Sequence, residues 1–291
     1  MTPTEFVKPV VFSGGLEQVT DAQLAKYAEL IYSRTGIRVP PQKKTLLSNR
    51  LRRRLQATGI RSFGEYYQHL TRLNSKDTEW DAFLQEITTH ETFLFRDEGQ
   101  WRWFRETFLA QCAAEARSGK RQRSLRIWSA ACSTGDEAFT AACCIAASLP
   151  NHQRWTIRIL GTDVGIGAIE QAQRATFGER AMRLVPGSFK KRYFVKAANA
   201  ELWTARPVLS EMVSFRQHNL LEPIRERPFD LVFLKNVLIY FAPASKKRVM
   251  ENLLPAICPG GLLVAGPAEG IADLVKGCRR LQPWLYRRPP Q

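Results

Sequence analysis

Apolar positions along the chain keep one period up to about residue 120 and another after it. In the first stretch they recur three and four apart, the spacing that lines one face of a helix. Leu24, Tyr27, Ala28 and Ile31 form such a face. Thr20-Asp21 supplies a cap before it and Gly36 a stop after it. Leu47, Leu51 and Leu55 make a second stripe over about 41–57. A third follows Ser62, with Phe63, Tyr66, Tyr67 and Leu70, and a fourth runs from about Thr78 to Ile87. Residues 20–88 therefore predict a helical N-terminal domain. Residues 1–19, with Pro3, Pro9, Gly14 and Gly15 and no period, read as a flexible lead-in. Residues 89–123 are expected to continue as a linker helix, ending in the polar run Ser118–Arg123.

The second stretch, 124–291, alternates short β-prone runs with helical ones. Leu125–Trp128, Thr156–Leu160, Phe229–Leu234 and Leu262–Ala265 read as strands, with a last one from Leu281 to Arg287. Helices are expected to about Leu149, from about Gly167 to Ala175, and over about 243–257. That alternation predicts a largely parallel sheet covered on both faces. Residues 187–217 break it. Tyr193–Val195, Leu202–Thr204 and Val213–Phe215 are short β-prone pieces between polar turns, and predict a small antiparallel insert.

Net charge changes the picture more than composition does. At +16 over 291 residues the chain calls for an anionic partner. Six cysteines, none at two-residue spacing, read as packed thiols, and four scattered histidines predict no metal. No basic start followed by an apolar run opens the chain, and no apolar run is long enough for a membrane span, so a cytoplasmic protein without membrane insertion is expected.

In a doubly wound sheet, ligands sit beyond the carboxyl ends of the strands. Three segments there carry suitable chemistry. Ser129–Glu137 is a loop of small residues ending in Asp136 and Glu137. It lacks the glycine spacing of a dinucleotide site, and its carboxylates oppose a phosphate but suit an ammonium or sulfonium group. Asp163, after the second strand, can accept ribose hydroxyls. Lys235-Asn236-Val237 follows a later core strand. Each has a plainer reading: Asp136 and Glu137 as first-turn helix acids, Asp163 as a cap. Together they fit a phosphate-free nucleoside with a positive group, which is what S-adenosylmethionine is.

Five blocks now support a resemblance. Ile87–Asp97, with Thr92, Phe93 and Arg96, resembles the signature of CheR-type chemoreceptor methyltransferases. Ser129–Glu137 resembles that family's cofactor loop, and Phe229–Phe241 its Asn-Val-Leu-Ile-Tyr-Phe block. Asn219-Leu220-Leu221 and Gly260–Leu263 match, as do Tyr32–Ile37 and Asn49–Leu55 in the helical part. The resemblance implies an α/β fold: a Rossmann-like class I methyltransferase domain with a three-stranded β insert, joined to an N-terminal helical bundle. It implies S-adenosylmethionine as methyl donor, S-adenosylhomocysteine as product, no metal, and receptor glutamates as acceptors. Carried over by position, His90, Thr92, Arg96, Glu137, Asp163, Val164, Asn219, Leu220, Asn236 and Val237 line the cofactor pocket. Arg96 orients the acceptor carboxylate and Tyr240 donates a hydrogen bond near the reacting groups.

The expected partner is the glutamate-rich helical bundle of a chemoreceptor's cytoplasmic region, with this chain acting as a monomer. Residues 30–64 hold nine Lys or Arg and no acid, and Lys44, Arg50, Arg53 and Arg54 are the expected contacts. In some family members the insert docks a receptor C-terminal peptide; the short turn between Val195 and Leu202 argues against it here. A nucleic-acid methyltransferase is the first rival, but neither an Asn-Pro-Pro-aromatic tetrad nor a Pro-Cys motif is present. The second rival is a cofactor-binding module without turnover. His90, Ala138–Thr140, Lys235 and Pro267–Glu269 depart from the family pattern and keep it open.

Overall fold

The computed structural model describes residues 18–74, 77–88, 90–198 and 201–290. Most of the expected lead-in lies outside them. The chain forms two compact units that divide between Thr89 and His90.

The first unit holds helices α1 (Asp21–Thr35), α2 (Lys44–Thr58), α3 (Phe63–Arg72) and α4 (Thr78–Ile87). Thr20 and Gln23 form a reciprocal cap at the start of α1, and Gly36 ends it in the left-handed region at φ 73°. The stripes read from sequence meet in one core, where Tyr27, Leu51, Tyr66, Leu70 and Phe83 are fully buried. Tyr27 donates its hydroxyl to the carbonyl of Phe63 at 2.7 Å, which ties α1 to α3.

The second unit opens with a long helix. Its segments are α5 (Glu98–Trp103), a π-helical turn (Phe104–Leu109) and α6 (Ala110–Arg117). The sequence predicts a linker here. Instead Trp101, Phe104 and Phe108, three and four apart, bury one face with Leu109 in the second unit's core beside Phe139 and Phe233. Next come β1 (Ser124–Ala130), α7 (Asp136–Ser148), β2 (Thr156–Asp163) and α8 (Ile166–Arg174). They are followed by β3 (Thr176–Gly178), α9 (Glu179–Met182), α10 (Gly187–Tyr193), β4 (Phe194–Lys196) and β5 (Leu202–Ala205). The remainder is α11 (Pro207–Ser210), β6 (Val213–Gln217), β7 (Phe229–Leu234), α12 (Pro243–Leu253), β8 (Ile257–Ala265), β9 (Arg279–Gln282) and β10 (Leu285–Arg287).

The main sheet has strand order β6-β2-β1-β7-β8-β10-β9, parallel except for the final β9–β10 hairpin. Strand β7 shows why it is buried on both faces. Leu231 and Phe233 enter one apolar cluster while Val232 and Leu234 enter the other.

A three-stranded antiparallel insert is present, in the order β3-β5-β4. Its composition corrects the expected span of 187–217. Val213–Gln217 pairs parallel with β2 as an edge of the main sheet, and the third insert strand is Thr176–Gly178. Runs of three to five residues carry too little period to show which sheet they join. The single last strand expected over 281–287 is the hairpin β9–β10.

Candidate functional site

Parallel β1, β2 and β7 end together, and the loops leaving them build the site. After β1, Ala131 and Ser133 take left-handed backbone, with φ 62° and 51°. After β7, Asn236 does the same at 58°, and in the signature segment so do Phe95 and Asp97, at 60° and 65°. Five of the seven non-glycine residues with positive φ among those described thus fall in three loops. Each costs on the order of 1–2 kcal/mol. Strain gathered in one place and held by its surroundings marks a site.

Buried carboxylates hold these loops. Asp163 accepts the Ser133 amide at 2.9 Å and the Gly165 amide at 3.0 Å. A carboxylate offers about four acceptor positions, so it retains capacity for two hydroxyls. Glu269, 1% exposed, accepts the amides of Asn236 and Leu238 and so fixes the turn after β7. Burial raises the Glu269 carboxyl above its ordinary range, against the pull of those amides. Glycines provide the close packing behind. A Cβ on Gly161 would lie 2.5 Å from the Phe215 ring, and one on Gly135, at φ 88°, 2.9 Å from Ala172 Cβ.

The charged centre is Lys235, with its side chain 4% exposed. Its ammonium lies 3.0 Å from Asp97 Oδ2 and 3.7 Å from Glu137 Oε2, and donates to the Arg96 carbonyl at 3.4 Å. The Trp101 ring lies beneath it, 5.4 Å away. Glu137 also accepts the Ser129 hydroxyl at 2.7 Å. Burial raises the Glu137 carboxyl, opposed by Lys235 and Ser129. Asp136 is 1% exposed, and burial pushes its carboxyl up to about 6 despite a hydrogen bond from Thr134. Its other oxygen, Oδ1, is buried without a hydrogen-bond partner.

The signature segment is anchored to this edge. The Phe95 amide donates to Thr140 Oγ1 at 3.0 Å, and Thr140 in turn donates to the Asp136 carbonyl at 2.7 Å. Leu94 bonds to the Ala181 carbonyl, and the Arg183 guanidinium stacks 3.6 Å from the Phe93 ring. Arg96, half-buried, reaches the same ring at 5.6 Å and donates to the Glu91 carbonyl at 3.3 Å.

Three separate contacts involve expected site residues. Lys235 links Arg96 to Glu137, Asp163 accepts the Ser133 amide, and Asn236 donates to Glu269. Gln217 bonds to the Val164 carbonyl at 3.0 Å, and Asn219 turns the chain by accepting the Leu221 amide at 3.0 Å. Leu220 is buried, while Val237, Thr92, His90 and Tyr240 are half-buried. Tyr240 sits in a short helical turn, Leu238–Tyr240, directly after the β7 loop.

Sequence reasoning placed Lys235 in a segment after a core strand and counted it, with Glu269, among the departures from the family pattern, but gave neither side chain a role. Their burial, which makes them structural to the site, has no signature in the sequence. The expected partner contacts also look different in three dimensions. Arg54 forms a two-pronged pair with Glu79, at 3.0 and 2.6 Å, shared with the Tyr66 hydroxyl. Arg50 donates to the Ile87 carbonyl, Arg53 pairs with Glu86 at 2.6 Å and Lys44 with Asp21 at 2.7 Å.

An acidic edge that fits a cationic nucleoside, on a mostly parallel seven-stranded sheet, defines an S-adenosylmethionine-dependent methyltransferase domain. Comparison with known proteins gives the family. Residues 90–282 match the CheR methyltransferase SAM binding domain, and residues 22–88 the CheR methyltransferase all-alpha domain. The chain belongs to the CheR methyltransferase family. It is 32% identical over 263 residues to a chemotaxis protein methyltransferase of Salmonella typhimurium, covering 89% of this chain and 87% of that one. It is 31% identical to the Escherichia coli chemotaxis protein methyltransferase, covering 88% and 87%. It is 32% identical to chemotaxis protein methyltransferase 2 of Pseudomonas aeruginosa, covering 92% of each.

Proposed function

We propose that this chain transfers a methyl group from S-adenosylmethionine to glutamate side chains of chemoreceptors, giving methyl esters. The observation that carries the reading is the buried Lys235 linkage. It fastens the signature segment, and with it Arg96, to the same edge that presents Glu137 and Asp163.

The residues fit the methyl donor. Glu137, with Asp136 beside it, supplies negative charge for an ammonium group, and Asp163 has acceptor capacity for ribose hydroxyls. No cluster of described residues could hold a metal, and this chemistry requires none. When bound, the donor supplies an electrophilic methyl on a positively charged sulfur. The acceptor glutamate is already ionised at neutral pH, so no strong general base is needed. What the protein contributes is alignment and exclusion of water around two opposite charges that cancel as the ester forms. Arg96 has the planar fork that orients a carboxylate, and its contact with Phe93 limits its travel. Tyr240 donates a hydrogen bond near the reacting groups.

Recognition of the acidic receptor helices falls to the basic side of the helical unit. Lys44 and Arg53 hold exposed ion pairs, which are weak enough to exchange for a partner's carboxylates. Arg54, 17% exposed and doubly bonded, is committed to holding α2 against α4. No helix of the described residues is long and apolar enough to cross a membrane. The protein acts as a cytoplasmic monomer on the receptor's cytoplasmic bundle.

The test is transfer of labelled methyl from S-adenosylmethionine to receptor-containing membranes, scored as base-labile label. Wild-type protein should transfer, and Arg96→Ala should lose most of the rate with the donor still bound. Absence of base-labile label with wild type, alongside normal donor binding, would favour a binding module without turnover.

A further inference from the structure

At the opposite edge of the main sheet, where β7 and β8 begin, lies a cavity of about 540 Å³. Strand β7 separates it from the methyl-donor edge by roughly 15 Å, at about 3.3 Å per residue. Phe108 and Leu262 are among its apolar walls; Arg279 and Arg287 line it, as do Arg121 and Arg288 together with the carboxylates Glu115 and Asp230.

Two of these arginines have work within the fold. Arg121 pairs with Asp230 at 2.8 Å and Glu115 at 3.7 Å. Arg288 donates to the carbonyls of Leu254 and Pro255 at 3.2 and 3.1 Å. Arg279 and Arg287 do not. They stand directly opposite each other across the β9–β10 ladder, and Leu262 is the next residue in register. Residues so paired share a face of the sheet, and like charges in that position repel. Among the described residues neither has a carboxylate within ion-pair distance, and Arg287 Nε is buried with no hydrogen-bond partner. A fold that keeps two facing guanidinium groups above an apolar floor has left room for the anion that would separate them.

We propose that this cavity binds a phosphate-bearing small molecule of nucleotide size, held by Arg279 and Arg287. Two planar forks match phosphate oxygens in pairs. The volume lies in the range of small-molecule sites, and the apolar walls suit a base or other flat body. An inorganic ion alone would leave those walls uncovered.

Calorimetry on the full chain tests this, with ATP as the probe and S-adenosylhomocysteine saturating the donor edge. One ATP should bind per chain, more tightly than inorganic phosphate does. Arg279→Ala and Arg287→Ala should each weaken it about tenfold or more, the usual loss for a charge-assisted hydrogen bond. Both variants should keep or raise the thermal midpoint, because removing one arginine relieves the repulsion. Arg174→Ala, an exposed arginine on α8, should bind ATP as wild type does. The proposal fails if ATP does not bind or if both variants bind it unchanged. It fails if Arg174→Ala weakens binding equally, which would reduce the effect to net charge. Phosphate binding as tightly as ATP would mean an adventitious ion only. A lowered midpoint in both variants would make the pair structural.

Discussion

Replacing Lys235 with Met keeps the side chain's length and removes its charge. The ammonium is almost fully buried, while Glu137 and Asp97 keep 16% and 34% of their side-chain exposure. Breaking a fully buried ion pair costs on the order of 3–5 kcal/mol, chiefly because the remaining charge is stranded. Asp97 can turn to water and the Glu137 contact is 3.7 Å, so the lower end applies, about 3 kcal/mol. With a urea m-value of about 2–3 kcal/mol/M for a unit of this size, the midpoint should fall by about 1 M. Six of the seven tryptophans lie in this unit, so their fluorescence reports its unfolding. Adding Glu137→Gln removes the stranded charge and should restore most of the loss. A fall smaller than about 0.3 M, or a double variant no more stable than the single, would refute the reading of Lys235 as the keystone.

Asp136→Asn tests the buried carboxyl. Its folded value, about 6, lies above the ordinary value of 3.8, so the native state holds the proton more tightly. Stability from this group is full below about pH 4 and is lost as pH rises through 6. The neutral variant should match wild type at low pH and exceed it at pH 7–8 by up to about 2–3 kcal/mol; a wild type gaining on the variant between pH 4 and 6 would contradict this. Arg54→Ala strands Glu79 between α2 and α4, and should cost the helical unit about 2–4 kcal/mol in denaturant melts while Arg53→Ala costs less than about 1. Glu269→Gln replaces one of two carboxylate acceptors with an amide donor and loosens the Asn236 turn. Donor affinity should drop about tenfold by calorimetry, with a loss of about 1–3 kcal/mol in the denaturant melt, and unchanged affinity would remove Glu269 from the site.

How much of this could be read from sequence depended on length and periodicity. Helices α1 to α4 carry three or four apolar residues each at helical spacing, and their caps at Thr20 and Ser62 are residues of the right type. Strand β7, apolar on both faces, announces a central position. Strands β3, β5 and β6 are three to five residues long, and only tertiary pairing decides that Val213–Gln217 joins β2. The basic run of α2 reads as a surface because its counter-charges, Glu79 and Glu86, lie on a different helix. The segments after β1 and β2 stand out in the sequence because small residues lie beside Asp136, Glu137 and Asp163; the segment after β7 is marked only by its place at the end of a core strand. Lys235 was not, since a lysine is almost never fully buried.

The acids at this edge answer two demands with one charge. Asp163 and Glu269 accept amides from Ser133 and Asn236, both held in left-handed backbone. Those turns would relax without strong acceptors, since each forfeits on the order of 1–2 kcal/mol and a hydrogen bond to a charged group returns about 1.5–3. A carboxylate supplies that return and leaves negative potential where a sulfonium and an ammonium must sit. A neutral acceptor could fix the turns but would not attract the cation; a mobile acid could attract the cation but would not fix the turns. The buried Lys235 then prevents the accumulated negative charge from opening the edge, and places Arg96 beside it. Charge that builds the pocket is thus the same charge that would select its occupant, which is why we propose a cationic nucleoside for this edge and an anionic one for the cavity at the far end of β7.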